Sequence, residues 1–541
     1  MRSAIRILTL VGLILSAQAQ DVFIPDPGLN AAIRDALQKP NGPLTEPDLL
    51  ALTNLNASSR NVTSIAGLEA ARNLSSLELQ LNHLTNFSLP SQLTNLSVLN
   101  LSFNSLTQCT FPDGSSNLAV LDLKSNSLTH LALPAGLNRL NSLDLSHNAL
   151  TGFNLPSNSA SLVFLDLSLN AFTNFSLPGG MTNLTVLLIE GNNFLTNLDL
   201  APGLTALETL NLNLNLLLQV TLPAGMKSLT NLNLSQNQLT SIALPVGMTN
   251  LSRLFLDLNH MANLTVPADV TKLTVLDLEA NGLTNVTFPA SLFAMTELHL
   301  PINFLPTFTL PAGLTNLANL DLAENILTHV DLPSGLTGLT NLHLEINQIT
   351  SFTLPADATN LTSLLLFFNQ LTNVTLPANL SHLDIIGLSG NRLRNLDLPP
   401  NLTALESLNL RDNQLTNLTL SPDMQQLTGL FVDGNPFSVL VLSDPLASTK
   451  LATVVATLEG QGITVSTYPL ALQLIAPESN PAGVFGFTLA GPPGVYRIFS
   501  SVDLAGWNEL AAATNRLGRA AFADASSVSA ARKFYRAQSV P

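Results

Sequence analysis

The chain has 541 residues and a formal net charge of −15; 46% of residues are hydrophobic and only 11% charged, with a mean hydropathy of +0.32. A chain this acidic lacks the clustered cations that a phosphate backbone demands, which excludes nucleic acid as a partner. After the first 20 residues no uninterrupted apolar run approaches the ~18–20 residues of a membrane-spanning helix, so the mature chain has no transmembrane segment and its leucines belong to a core. Cys109 is the single cysteine, so no intramolecular disulfide can form. It occupies a register filled elsewhere by Phe87, Leu131, Phe153, Phe175 and Val220, where a small buried hydrophobe is expected.

In chain order, residues 1–19 read as a secretory signal. Arg2 and Arg6 give a cationic start, residues 7–15 are apolar, and Ala17-Gln18-Ala19 fits a cleavage site used after Ala19. The mature protein is therefore expected to be secreted, extracellular or on the cell surface. Residues 21–70 form a helical N-terminal cap and a first imperfect repeat. Leu29, Ile33, Ala36 and Leu37 have helical spacing, and Thr45-Glu46-Pro47-Asp48 opens a second helix with proline in its first turn.

Residues 71–441 are repetitive. An asparagine returns every 22 residues at Asn82, Asn104, Asn126, Asn148, Asn170 and Asn192. After one 23-residue step it continues at Asn215, Asn237, Asn259, Asn281, Asn303, Asn325, Asn347, Asn369, Asn391, Asn413 and Asn435. Such a period means stacked supersecondary units, each covering the apolar face of the next. Within a unit, Leu143-Asp144-Leu145 alternates as a short strand, Asn148 marks the bend that follows, and Phe153-Asn154-Leu155 is a second extended segment closed by Pro156. The amide at the bend can donate and accept, so the asparagines are expected to serve buried backbone groups and also to bond one another from rung to rung.

Residues 442–468 are expected to cap the far end. A helix-compatible stretch at 445–459 ends at Gly460, and a strand follows over Ile463-Thr464-Val465-Ser466-Thr467-Tyr468. From residue 469 to 541 the period disappears. About six short alternating runs, including Val495-Tyr496-Arg497-Ile498-Phe499 and Lys533-Phe534-Tyr535-Arg536, predict a small all-β, sandwich-like module.

The repeat resembles the leucine-rich repeat family over about two thirds of the chain. Ile24-Pro25-Asp26-Pro27, Leu44-Thr45-Glu46-Pro47-Asp48-Leu49 and Ile65-Ala66-Gly67-Leu68-Glu69 resemble the N-terminal cap and first repeat of bacterial internalin-like surface proteins. The resemblance implies a solenoid with a parallel β-sheet on a concave face that recognises a partner. The back of each unit lacks a helical pattern and is expected to be extended or strand-like.

Function is expected on the concave face, six, four and two residues before each asparagine. No Gly-x-Ser-x-Gly, His-Glu-x-x-His or phosphate-cradling glycine loop is present, so no catalytic residues and no enzyme activity are assigned. Asp122, Asp144 and Asp166 stack on successive rungs as solvated charges. Farther along, Asp277, His299, Asp321 and His343 follow one another, flanked by Asp257, Glu279 and Glu345. The two histidines stand ~10 Å apart at the backbone, so no metal and no cofactor are assigned there. Phe255, Leu365, Phe367 and Phe431 add apolar surface beside this acidic tract, as an interface core would. The expected partner is a protein or glycan; the alternative is an envelope or matrix spacer attached through the C-terminal β-module. The Asn-x-Ser/Thr sequons arise from the repeat itself and carry no separate meaning.

Overall fold

A computed structural model of the chain describes residues 20–529 and 532–540. The signal sequence expected at 1–19 lies outside these residues. Among those described, no helix is long and apolar enough to cross a membrane. The chain divides into two compact units, Met1–Leu229 and Thr230–Pro541.

The first unit opens with the expected helical cap. Asp26 caps the helix Pro27–Leu37 by accepting the Leu29 N–H at 2.9 Å, with proline at the first helical position. Its other carboxylate oxygen accepts from Thr63 N, Thr63 Oγ1 and Ser64 N, tying the cap to the first turn of the solenoid. A capping box of Thr45 and Asp48 starts the helix Glu46–Leu50. Three-residue parallel strands then stack in register, Asn54–Asn56, Ser76–Glu78, Val98–Asn100 and onward to Thr209–Asn211. Each has its central residue buried and its two flanking residues more exposed, as with Leu77 and Leu99 at 0%. Short strands on the opposite side pair only in twos, Asn86–Ser88 with Gln108–Thr110 and Asn174–Ser176 with Asn197–Asp199. Cys109 is buried in the first of these pairs, and burial pushes its thiol well above the usual range.

The second unit continues the same arrangement from Asn231–Asn233 to Gly429–Phe431. The repeat thus builds the leucine-rich repeat solenoid that the resemblance implies. Leucines fill the interior of every rung; Leu320, Leu322, Leu327 and Leu339 are each at most 1% exposed. A one-residue slip would turn them all to water, so the pattern fixes its own register.

The C-terminal cap differs from expectation in its helix. Instead of one segment ending at Gly460 there are two, Asp444–Ser448 and Ala452–Gly460. At the break, Ser448 and Thr449 turn their hydroxyls back onto the Asp444 and Pro445 carbonyls, and Thr449 leaves helical geometry (φ −121°, ψ −93°). The helix runs through Gly460, and Gly462 takes the left-handed conformation beyond it (φ 83°). The closing strand Thr464–Tyr468 pairs with Val439–Ser443.

Beyond it stand two antiparallel three-stranded sheets, as the sequence predicts. One pairs Gln473–Ser479, Phe485–Ala490 and Arg519–Asp524; the other pairs Asn508–Asn515, Gly494–Ser501 and Phe534–Ser539. Phe485, Phe487, Phe522 and Tyr535 pack ring against ring between them. Gly518 joins module to cap, since a Cβ there would come within 2.7 Å of the Tyr468 Cβ.

Candidate ligand-binding face

The asparagines bind backbone, and this corrects the expectation that they bond one another. Asn325 Nδ2 donates to Leu322 O and Ala323 O in its own rung and to Leu300 O in the preceding one. Its Oδ1 accepts the Leu305 N–H of that preceding rung at 3.0 Å. The bend leaves carbonyls pointing inward with no strand to meet them, and the two amide hydrogens are shared among three such groups. At the 23-residue step, Asn215 Oδ1 accepts from the Asn192 N–H itself, so the extra residue is absorbed beyond the amide.

The central column of the sheet face forms as the sequence predicts. Strand register places Phe255 beside Asp277, then His299, Asp321, His343 and Leu365 on successive rungs. Asp257, Glu279, Glu345 and Phe367 lie half-buried two residues farther along their own rungs. Phe431, 37% exposed, lies on the same column farther along the sheet. It stands three rungs beyond Leu365 under the Arg411 guanidinium, 4.7 Å from its ring centroid, and Arg411 is itself paired with Asp433.

The aspartates also have a structural task. The Asp277 carboxylate accepts the Glu279 N–H at 3.0 Å, and Asp321 accepts the Ala323 N–H in the same way. Asp122, Asp144 and Asp166 do this on their rungs, and Asn100, Asn211, Asn233 and Asn409 replace them on others. Where the bond forms, an amide oxygen serves as well as a carboxylate, so it does not require the negative charge; rungs with Phe255 or Leu365 at that position do without it.

Charge nevertheless accumulates. Burial pushes the Asp277 carboxyl up, and Asp257 and Asp321 push it further; Glu279 and Glu345 are raised chiefly by burial as well. Glu345 Oε2 is buried without a hydrogen-bond partner. His343 is raised as well, but for a ring this favours the charged form. Asp321, 3.8 Å from its Nδ1, favours the charged ring and raises its pKa above 6.5. A raised folded-state pKa means the pair contributes stability below pH 6.5, which is lost as pH rises through the higher native value. In an NMR titration, the His343 ring is expected to titrate above 6.5 and to move back toward 6.5 in Asp321→Asn, which keeps the oxygen for Ala323. A wild-type midpoint at or below 6.5 would contradict the pairing. Among the described residues no group of three histidine, cysteine or acidic side chains is placed to hold a metal ion.

Sequence reasoning missed the residue immediately before each asparagine. It is left-handed on every rung, and most rungs place a side chain there: Leu258, Ile302, Ile346 and Phe368 have φ of 53°, 57°, 55° and 52°. Left-handed backbone costs an ordinary residue ~1–2 kcal/mol and is rarest for branched side chains. Ile302, Ile346 and Phe368 are 44%, 43% and 59% exposed, and Phe304 and Ile326 continue the apolar ridge. Phe368 stacks edge-on against Phe367 and lies over Gly390, where a Cβ would approach its ring within 2.5 Å. Glycine at the same position in Gly191, Gly390 and Gly434 was the one signal in the sequence that the backbone there is special.

Fold and face together define a leucine-rich repeat protein with a ribbed acidic surface edged by hydrophobic side chains. A BspA-type leucine-rich repeat region matches residues 61–177, 192–298, 281–386 and 367–431, and the chain belongs to that family. No curated protein matches the sequence. Among solved structures, the chain is similar to YopM from Yersinia enterocolitica WA-314, with 27% identity, 76% of this chain and 87% of that one covered, and a TM-score of 0.52. It is also similar to the functional domain of InlJ from Listeria monocytogenes, with 19% identity, 88% and 96% covered, and a TM-score of 0.51. That domain includes a cysteine ladder, whereas this chain has one cysteine and runs asparagine along its rungs. Toll in the Drosophila Toll–Spatzle complex shares the fold at 20% identity and a TM-score of 0.51, over 78% of this chain and 75% of that one.

Proposed function

We propose that the chain is a secreted or cell-surface recognition protein, without enzymatic activity, that binds a protein ligand on the concave sheet face of its second unit. One observation carries the reading: an acidic column from Asp257 to Glu345 runs beside the exposed ridge of Ile302, Phe304, Ile326, Ile346 and Phe368. Ile302, Ile346 and Phe368, held left-handed where other rungs use glycine, give the backbone nothing, so their value lies in what they touch. An apolar ridge beside unneutralised carboxylates suits a ligand presenting a hydrophobic anchor and basic residues.

The test replaces charge without breaking the turns. Asp277→Asn with Glu279→Gln and Phe367→Ala keeps the oxygen that Glu279 N–H requires. Used as bait in native extracellular material, the wild-type chain is expected to retain a specific polypeptide that the triple variant binds about tenfold more weakly or worse. Equal retention by both would sink the concave-face assignment.

A second reading, a spacer attached through the C-terminal module, is favoured by the chemistry of that module's outer sheet.

A further inference from the structure

Six arginines and lysines stand between residues 470 and 541 against four carboxylates, in a chain whose net charge is −15. Two of those carboxylates are already committed, Asp524 to Lys533 and Glu509 to Arg497. Of the four arginines that remain, two, Arg532 and Arg536, lie at one strand of one sheet, Phe534–Ser539. In the sheet of Asn508–Asn515, Gly494–Ser501 and Phe534–Ser539, Tyr496 and Ile498 point into the module, at 4% and 0% exposure. Alternation therefore turns Arg497, Phe499 and Arg536 outward.

Arg536 lies directly across from Phe499 in the strand register. Its guanidinium carbon sits 5.1 Å from the Phe499 ring centroid and 4.6 Å from that of Trp507, so the plane is held by two rings. Arg532 rests 5.2 Å from the Phe534 ring on the same sheet. Among the described residues, no carboxylate is within ion-pair distance of Arg536 or Arg532. A guanidinium fixed by its face keeps its N–H edges free, and those edges match a carboxylate in bidentate geometry. Restricting the side chain beforehand lowers the entropy lost when an anion binds.

We propose that this outer sheet is a binding face for an acidic polysaccharide. Uronate carboxylates engage the edges of Arg536 and Arg532, and the sugar rings lie against Trp507 and Phe534. Arginine–aromatic pairs on an open sheet suit a repeating polymer of sugar rings, each offering a C–H face to an aromatic ring and a carboxylate to a guanidinium. The face shares no residue with the concave sheet, so either assignment can fail while the other stands.

Trp507 is the only tryptophan in the chain, so the emission of the full-length protein reports directly on this face. Titration with polygalacturonate is expected to give a saturable change in that emission, weakened by salt, while the fully methyl-esterified polymer gives none. Arg536→Gln is expected to weaken binding about tenfold or more, and Arg536→Lys, which keeps charge without the plane, to fall between. Near-UV circular dichroism verifies folding of each variant, and Arg532→Gln provides a second variant on the same face. The proposal is overturned by an absent response, by an equal response to the ester, or by wild-type binding in both glutamine variants. It is also overturned if diluting the protein alone reproduces the change in emission, which would make a second copy the occupant.

Discussion

Replacing Asn325 by aspartate is expected to destabilise the solenoid more than replacing it by alanine at neutral pH, although aspartate is the same shape. Alanine leaves the buried Leu305 N–H without its partner and takes one of two amide donors from the carbonyls of Leu300 and Leu322. One orphaned buried donor and a small void together cost about 2–4 kcal/mol. Aspartate still accepts from Leu305, but it turns a carboxylate oxygen toward three carbonyls that had received N–H donors. The carboxyl must then be protonated or repelled, so its pKa rises and the variant regains stability as pH falls. Urea unfolding followed by far-UV circular dichroism at pH 7 and pH 4 separates the two variants. An aspartate variant no less stable than alanine at pH 7 would show that the amide merely fills space.

Asp524→Ala is expected to cost the C-terminal module about 3–5 kcal/mol, because it strands a buried ammonium. Lys533 Nζ lies 2.7 Å from the Asp524 carboxylate, with side-chain exposures of 14% and 4%. Tyr535 OH donates to the same oxygen at 3.0 Å, and Ser526 donates to the other. Burial alone would push this carboxyl up; the bonds from Lys533, Ser526 and Tyr535 outweigh it and hold it at about 2, below the ordinary 3.8. The folded-state pKa is depressed, so the stabilisation is present above pH 3.8 and lost as pH falls through about 2. Trp507 emission follows unfolding of this module in the full chain. A shift of less than about 1 kcal/mol in Asp524→Ala would mean that the pair is solvated and weak.

Much of the fold was legible because the repeat couples sequence to geometry so tightly. Leu143 and Leu145 alternate, Asn148 follows at a fixed distance, and register then places Asp277, His299 and Asp321 side by side. What escaped was whatever depends on backbone conformation or on competition between local bonds. The left-handed site at Ile302 and Phe368 carries no hydrophobic period, and only its occasional glycines betray it. The dual use of Asp277, as charge and as turn closure, appears only once its oxygen is seen on the Glu279 N–H. The split of the cap helix lies at Ser448 and Thr449, where the apolar spacing runs on unbroken and gives no sign of it. Phe431 lies on the column the repeat indicates and stays 37% exposed, but the Arg411 guanidinium 4.7 Å from its ring centroid has no signal in the repeat.

Within each unit the inter-rung bonds of the asparagines point the same way. Each amide reaches back toward the N-terminus, so the bend of one rung is completed by the rung made after it. A chain emerging from the ribosome therefore seals its turns one step behind synthesis, starting from a helical cap already in place. Truncation is correspondingly asymmetric. Removing rungs from the C-terminal side strips the last remaining bend of its donor and acceptor, whereas removing them from the N-terminal side leaves only an amide that water can satisfy. Asn435 has no successor on the ladder, which makes the cap that follows it the closing step of assembly.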